Sequence, residues 1–475
     1  MVTIVWIRRD LRLHDHAALA TALAEKAAVQ PVFVFDTGIL ARFNNPHDRR
    51  LSFIMGALCG IDRELKKRGG GLLVMHGKAC EVIPKLAAVL GAQMIVSSED
   101  FEPDNRARDA EVKRQFSGRF VQVIDHVLRA PYQILKDDGT PLKVFTPYYK
   151  RWLASLSEMD WAAYEVKDTG RYADVAASRK AAEQAGLKVI DLSNAADALN
   201  AIGYRYADDP LWKPDAAREL LTAFADGRVT AYPKQRDFMG VRGTSRLGPY
   251  LRHGLVSVRE CVAAAQKQPN SATWIKELCW REFYMMILFH WPEVQTQEFQ
   301  PQYRGTIPWD SSLRVKDALY NAKTGYPVID AALREILQTG WMHNRARMIV
   351  ASFFTKDLLM DWRIGEEFFA QHLMDYELAS NNGGWQWSAS TGTDAQPYFR
   401  VFNPLLQSQK FDPNGDYIRQ YLPELKDVPD ADIHWPHGTL YCPKEYPAPI
   451  VDHAAVKARA IAVFKDAKVA TSAMP

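Results

Sequence analysis

The sequence predicts an α/β protein: an N-terminal doubly wound parallel-sheet (Rossmann-like) domain over 1–130, a connection over 131–206 and an all-α domain over 207–475. Three observations carry this reading. Short apolar runs alternate with helical stripes in the first part, the pattern of repeated βαβ units. Beyond Leu211 the apolar residues recur mainly at helical spacing. At 475 residues the chain is long enough to build two cores.

Ile4, Val5, Trp6 and Ile7 read as the first strand, and 31–35, 72–75, 94–96 and 120–124 read as later ones. Leu51, Ile54, Met55, Leu58, Ile61 and Leu65 recur three or four apart, so they form one stripe of a helix. No G-x-G-x-x-G follows the first strand; Gly69, Gly70 and Gly71 precede a strand and read as a turn. Asp137, Asp138 and Gly139 mark another turn. From 131 to 206 no period dominates, and the segment reads as a connection with a short helix or two. Leu220, Leu221 and Phe224 open the helical pattern and 456–464 close it. The final KVATSAMP reads as a short disordered tail.

Apolar residues make up 47% and charged residues 24%, the balance of an ordinary soluble globular chain. Cys59, Cys80, Cys261, Cys279 and Cys442 show no paired spacing, so neither a disulfide framework nor a zinc site is expected, and a reducing, cytoplasmic setting fits. The opening MVTIVWIRRD puts its charges after the apolar run, the reverse of a signal peptide, and no apolar run is long enough to span a membrane. A net charge of +3 is too small for a nucleic-acid coat but compatible with one local basic groove. Of 13 tryptophans, eight fall within 274–387, which points to one aromatic-rich site or core.

The stretch 340–404 concentrates the chemistry. Ile349, Val350, Phe353, Phe354, Leu358 and Leu359 make it apolar at helical spacing, yet Asn344, Arg347, Asp375, Asn381 and Asn382 run through it with Trp341, Trp362, Trp385 and Trp387. Apolar walls with a few placed polar groups describe a deep ligand pocket.

Its phrases GWMHNRARM, DLLMDWR, NNGGWQW and TGTDAQPYFRVFNP resemble the photolyase/cryptochrome flavoproteins, closest to the class I cyclobutane pyrimidine dimer photolyases of bacteria. The resemblance runs from WIRRDLRLHD near the start to YPAPIVDH near the end. It implies that the all-α domain binds FAD and the α/β domain an antenna chromophore. By itself, Ser or Thr beside a helix start is usually only a cap. The resemblance to the family's TSRL phrase implies that Thr244, Ser245, Arg246, Leu247 and Gly248 hold the FAD phosphates, with Tyr232 nearby.

In WIKELCWREFY, Trp274, Glu277 and Arg281 share one helix face by spacing. The resemblance implies that Glu277 hydrogen-bonds the dimer, Trp280 stacks on the flipped bases, and Arg281 and Trp274 contact the flavin. Asn344 and Met348 fall where dimer photolyases meet flavin and lesion, and where (6-4) photolyases carry histidine; here His343 is only adjacent. Arg347 and Asp375 match a pair that clasps the flavin, beside Trp341 and Tyr376. Asn381 matches the asparagine facing the flavin's central nitrogen, where plant cryptochromes usually carry Asp and insect ones Cys. The family often has Asp-x-Asp where this chain has Asp375, Tyr376 and Glu377, so Glu377 shifts an adenine-side contact. Trp385, Trp362 and Trp309 match an electron relay from flavin to surface, although three tryptophans by themselves are more often core. Arg236, Arg345, Arg400 and Lys410 are candidate phosphate partners, with Tyr284, Trp387 and Gln407 at the DNA.

What the resemblance implies is light-driven repair of cyclobutane pyrimidine dimers in UV-damaged DNA, single- or double-stranded, by a monomer with no obligate protein partner. The alternatives are a signalling cryptochrome, against which Asn381, Glu277, Met348 and the short tail weigh, and a (6-4) photolyase, disfavoured at Asn344 and Met348. The antenna stays open. Asn44, Asp104 and Asn105 depart from the folate-binding pattern; the folate 5,10-methenyltetrahydrofolate is the first expectation, with a deazaflavin or a flavin as alternatives.

Overall fold

The structure, a computed structural model, describes residues 1–167 and 170–472. Five strands of the sheet lie where the apolar runs place them: β1 (Val2–Ile7), β2 (Ala28–Asp36), β3 (Leu73–Gly77), β4 (Ala92–Ser98) and β5 (Arg119–Val123). β1 pairs in parallel with both β2 and β4, so it is central, and Ile4, Val5 and Ile7 are fully buried. A strand covered on both faces has no polar side to show, which is why it reads as an unbroken apolar run. The helices α1 (Ala17–Ala24), α2 (Arg49–Lys67), α3 (Ala79–Val89) and α4 (Pro103–Gln115) follow or separate these strands. Asp48 caps α2 by accepting the Arg50 amide at 3.0 Å, and the expected stripe is buried except for the half-buried Ile54.

The stretch 131–206 is not merely a connection. It contributes α5 (Val175–Gln184) and a sixth strand, β6 (Lys188–Ile190), which pairs antiparallel with β3 and completes the order β5-β4-β1-β2-β3-β6. The turn expected at Gly69 to Gly71 explains the docking. Gly69 has a φ of +77°, and a Cβ on Gly70 or Gly71 would come within 2.6 Å of Tyr172 or Val175. Three residues cannot display a period of two, so β6 left no mark in the sequence pattern.

Packing divides the chain into two compact units, at other places than the expected boundaries of 130 and 206. The first comprises Met1–Ile134, Lys150–Val229 and Ser245–Glu282; the second comprises Leu135–Tyr149, Thr230–Thr244 and the chain from Phe283 onward. Segment 245–282 joins the sheet unit through a buried charge network. Arg259, at the start of α6 (Val258–Gln266), contacts Asp15 at 2.9 Å and Asp125 at 2.8 Å, and Arg12 reaches Asp125 at 2.7 Å. Burial pushes the Asp125 carboxyl up, but Arg12 and Arg259 hold it well below the usual range. The helix α7 (Ala272–His290) starts in the first unit and ends in the second.

The second unit is built on α8 (Pro327–Thr339), α9 (Asn344–Ser352), α10 (Trp362–His372), α11 (Leu378–Ala389), α12 (Pro404–Phe411) and α13 (His453–Ser472). Gly340, at φ +70°, closes α8 in the left-handed conformation. Phe353, Phe354, Trp362 and Trp385 lie in its core. The start of the expected tail is helical to Ser472, and 473–475 lie outside the described residues. No described helix is long and apolar enough to cross a membrane, and no metal-binding cluster occurs among the described residues.

Candidate functional site

The stretch 340–404 folds into α9, α10 and α11, which bring its polar residues into pairs. His343 is the N-cap of α9: its Nδ1 accepts the Arg345 amide at 3.1 Å and its own amide donates to Glu335 at 3.0 Å. One turn on, the exposed Asn344 points its Nδ2 at the Met348 sulfur, 3.8 Å away, as i,i+4 spacing allows. Arg347 forms the expected pair with Asp375, at 2.9 and 3.0 Å, while its Nε donates to the Met342 carbonyl at 2.8 Å. Trp341 and Glu377 are buried beside this pair in sequence, and Tyr376 is half-buried.

Asn381 has a partner that sequence reasoning missed. Its Nδ2 donates to the Glu366 backbone carbonyl at 2.9 Å and to the Glu366 carboxyl at 2.7 Å. Both amide hydrogens are thus used, which fixes the amide's orientation and leaves Oδ1 as its hydrogen-bonding atom. Burial raises the Glu366 carboxyl to about 7, against the opposing bonds from Asn381 and Tyr376. Near neutrality this site therefore holds a proton that an exposed glutamate would have lost.

The tryptophans are placed unequally. Trp385 is buried with Phe369 at 5.0 Å, and a Cβ on Gly365 would lie 2.0 Å from its ring, so only glycine leaves room there. Its Nε1 finds no hydrogen-bond partner among the described residues. Trp362 shares α10 and one helix face with Gly365, and Trp309 packs half-buried against the same core.

In the first unit, α7 carries Trp274, buried against Phe224 at 4.9 Å, and the half-buried Glu277, Trp280 and Arg281. Arg281 donates to the His126 carbonyl at 2.5 Å. The next residue, Glu282, went unnoticed in the sequence although it is fully buried. It accepts from the amides of Leu128 and Arg129, at 2.6 and 3.1 Å, and from Trp152 Nε1 at 2.7 Å. Ser245, Arg246, Leu247 and Gly248 lead into a short helix; the Leu247 amide donates to Ser245 Oγ at 3.3 Å, and Arg246 adopts φ +55°. A left-handed arginine stores backbone strain, which clusters at binding sites. Tyr232 and Thr244 belong to the second unit, Tyr232 buried with the Arg236 guanidinium 5.4 Å from its ring.

Of the candidate DNA contacts, Arg400 and Lys410 are exposed, and Arg236, Tyr284, Trp387 and Gln407 are half-buried. Tyr284 lies so close to α11 that a Cβ on Gly383 would come within 2.1 Å of its ring. Arg345 is committed elsewhere: it pairs with Asp237 at 2.8 Å and stacks 4.2 Å from the Phe411 ring.

A sheet unit and a helical unit with a buried, aromatic-rich core define the class; comparison with known proteins defines the family. Residues 3–167 match DNA photolyase, and 274–466 match the FAD binding domain of DNA photolyase. A bacterial class III photolyase from Agrobacterium tumefaciens superposes with a TM-score of 0.85 at 30% identity, covering 98% of both chains. An archaeal photolyase from Sulfolobus tokodaii, described with two FAD molecules, gives 0.82 at 30% identity, covering 98% of this chain and 100% of that one. The chain belongs to the photolyase/cryptochrome family. The deoxyribodipyrimidine photo-lyase of Synechococcus is 37% identical over 465 residues, 95% of this chain and 93% of that one. That of Escherichia coli is 35% identical over 98% of both.

Proposed function

We propose that this chain is a deoxyribodipyrimidine photo-lyase that repairs cyclobutane pyrimidine dimers in DNA with light. The observation that supports it most is the orientation of Asn381. With both amide hydrogens committed to Glu366, the amide offers Oδ1, an acceptor suited to the N–H that a reduced flavin carries at its central nitrogen and an oxidised one lacks. The donor set fits FAD otherwise as well: a cation–carboxylate pair in Arg347 and Asp375, buried aromatic surface in Trp341 and Trp274, and hydroxyls at Thr244 and Ser245 for phosphate. FAD, when bound and reduced, supplies the light-driven electron that opens the cyclobutane ring and takes it back.

The chain's own residues bind and orient. Tyr232 with Thr244, Ser245, Arg246, Leu247 and Gly248 hold the phosphates. Arg347, Asp375, Tyr376 and Glu377 fix the flavin's position, with Arg281 beside it. Glu277 hydrogen-bonds the dimer, Trp280 and Trp387 stack on the extruded bases, and Asn344 and Met348 border them. Arg236, Tyr284, Arg400, Gln407 and Lys410 position the phosphates of damaged DNA, whether single- or double-stranded. The protein acts in this reading as a monomer in the cytoplasm. A second, light-harvesting chromophore completes the reading. Two of the three positions aligned with the folate site have internal partners, Asp104 with Arg42 at 2.5 Å and Asn105 with Asp100 at 3.1 Å. The absorbance spectrum of the extracted pigment distinguishes 5,10-methenyltetrahydrofolate from a deazaflavin or a flavin.

The test is light-dependent repair of two oligonucleotides by the purified, reduced protein. A thymine dimer should be repaired and a (6-4) photoproduct left intact. General acid catalysis needs a titratable group within reach; Asn344 and Met348 supply none, and the Nδ1 of His343 is occupied as a helix cap. Robust (6-4) repair would overturn the class. Glu277→Ala should keep FAD and DNA binding but lower the repair yield roughly threefold, the cost of one hydrogen bond; an unaltered yield would remove Glu277 from the mechanism.

Affinity for duplex DNA should fall linearly in log–log form with salt. Arg400→Ala should flatten that slope by about 0.9 per lost phosphate contact. An unchanged slope in both Arg400→Ala and Lys410→Ala would place the groove elsewhere.

A further inference from the structure

Two of the three relay tryptophans share one carboxylate. Trp309 Nε1 donates to Glu298 Oε1 at 3.1 Å, and Trp362 Nε1 donates to the same oxygen at 3.2 Å. Glu298 is buried, at 2% exposure, so its charge acts on both rings through protein rather than water. Its loop is pinned from several sides. Arg304 Nε holds the Glu298 carbonyl at 2.7 Å, Gln386 holds the carbonyls of Val294 and Gln297 at 3.0 and 3.1 Å, and Asn382 holds Val294 at 2.8 Å. The NNGGWQW phrase therefore does two jobs: Asn381 turns toward Glu366, while Asn382 and Gln386 fasten the loop that carries Glu298.

The charged surroundings are asymmetric. Arg363 contacts both Glu298 oxygens at 3.2 Å, and its guanidinium stands 4.7 Å from the Trp362 ring, while its other arm meets Asp361 at 2.9 Å. Lys356 points at Phe464, which also packs on Trp309, and burial lowers the pKa of that amine well below the ordinary lysine value. Trp309 therefore feels the carboxylate, Trp362 feels the carboxylate and an opposing cation, and Trp385 has no partner at its indole nitrogen among the described residues.

We propose that Glu298 is the positioning residue that makes electron supply through the tryptophans directional. This rests on the relay reading of Trp385, Trp362 and Trp309. One electron leaves Trp385 for the light-excited oxidised flavin, Trp362 refills Trp385, and Trp309 refills Trp362. The positive hole ends on Trp309, where an external thiol reductant gives up one electron to fill it. A negative charge at the indole N–H stabilises a hole on that ring. The order Trp385, Trp362, Trp309 is then downhill for the hole, and return is slow.

The experiment compares wild type with Glu298→Gln, Arg363→Gln and Trp362→Phe as FAD-loaded protein. Transient absorption reads the lifetime of the tryptophan radical, and ¹⁵N-indole resonances in the dark read the hydrogen bonds of Trp309 and Trp362. Gln at 298 keeps an acceptor oxygen but no charge, so the two N–H resonances should shift while staying protected, and the radical lifetime should shorten about tenfold. Arg363→Gln removes the cation that pushes the hole from Trp362 toward Trp309, so it should also shorten the lifetime, with both indole N–H resonances still protected. A shortening that comes with loss of N–H protection in both variants would mean that the loop is only structural and would overturn the proposal. Unchanged lifetimes in both, with Trp362→Phe blocked, would also overturn it while leaving the relay in place. Photoreduction of Trp362→Phe at the wild-type rate would overturn the relay reading itself.

Discussion

Glu282→Ala is expected to cost about 3–5 kcal/mol of stability at pH 5.5, the largest loss from any single truncation considered for this chain. The variant strips the partner from three buried donors, the amides of Leu128 and Arg129 and the indole nitrogen of Trp152. Each unsatisfied buried group costs about 1–3 kcal/mol, and neighbours sharing one cavity do not add fully. The loss should shrink with rising pH. Burial raises the Glu282 carboxyl to about 7, despite the three donors that favour its ionised form. The unfolded chain releases this proton near 4.5 and the folded one near 7, so between those values the folded state binds more protons and wild-type stability falls as pH rises. The fall amounts to about 3 kcal/mol once both values are passed. Denaturant unfolding of wild type and variant at pH 5.5 and pH 8 measures both effects. An equal difference at the two pH values would mean that the carboxyl is ionised throughout; no difference at pH 5.5 would mean that the three donors find water instead.

Glu282 also shows where sequence reading stops. It stands inside WREFY, beside residues that were singled out, yet its partners lie more than 100 positions away, and nothing local announces them. Glu366 and Glu298 were missed although their partners are nearer in sequence, because those partners sit on other elements and no helical spacing links them. What spacing does fix was legible. Asn344 and Met348 face each other because residues four apart on a helix must. The inner parallel strands were legible because burial on both faces demands continuous apolar runs, whereas the edge strand β5 keeps Arg119 and Gln122 exposed and β6 was too short to carry any pattern. Arg347 and Asp375 are 28 positions apart, and only the resemblance joined them before the structure did. Arg345 shows what spacing leaves out. A basic residue next to an aromatic site reads as a phosphate contact, but its internal partners Asp237 and Phe411 are invisible as neighbours in sequence.

Asn381→Asp is expected to move the first reduction step of the bound flavin negative by about 60–120 mV, a ten- to hundredfold shift per electron. The wild-type amide is neutral and spends both hydrogens on Glu366, so it adds no charge beside a reduced flavin. A carboxylate in its place has no hydrogen to give. Two acids then face each other across a hydrogen-bonding distance, and they share one proton rather than ionise independently. Because Glu366 already stands near 7, the pair should hold that proton through neutral pH and carry one net negative charge. That charge opposes a flavin that gains an electron, so the reduced state becomes harder to reach and repair slows. Glu366→Gln, made alone, separates the two acids' roles. It keeps an oxygen for the Asn381 amide and removes the group that resists ionisation. The potential should then stay near wild type, while stability at pH 8 rises because no carboxylate must be charged in the core. Made together, the two substitutions leave an aspartate with no proton to share, and the potential should fall further than with Asn381→Asp alone. Spectroelectrochemical titration of the four proteins reads the order directly. A potential in Asn381→Asp equal to wild type would mean that this side chain does not face the flavin, and a double variant no lower than the single one would mean that Glu366 never held the shared proton.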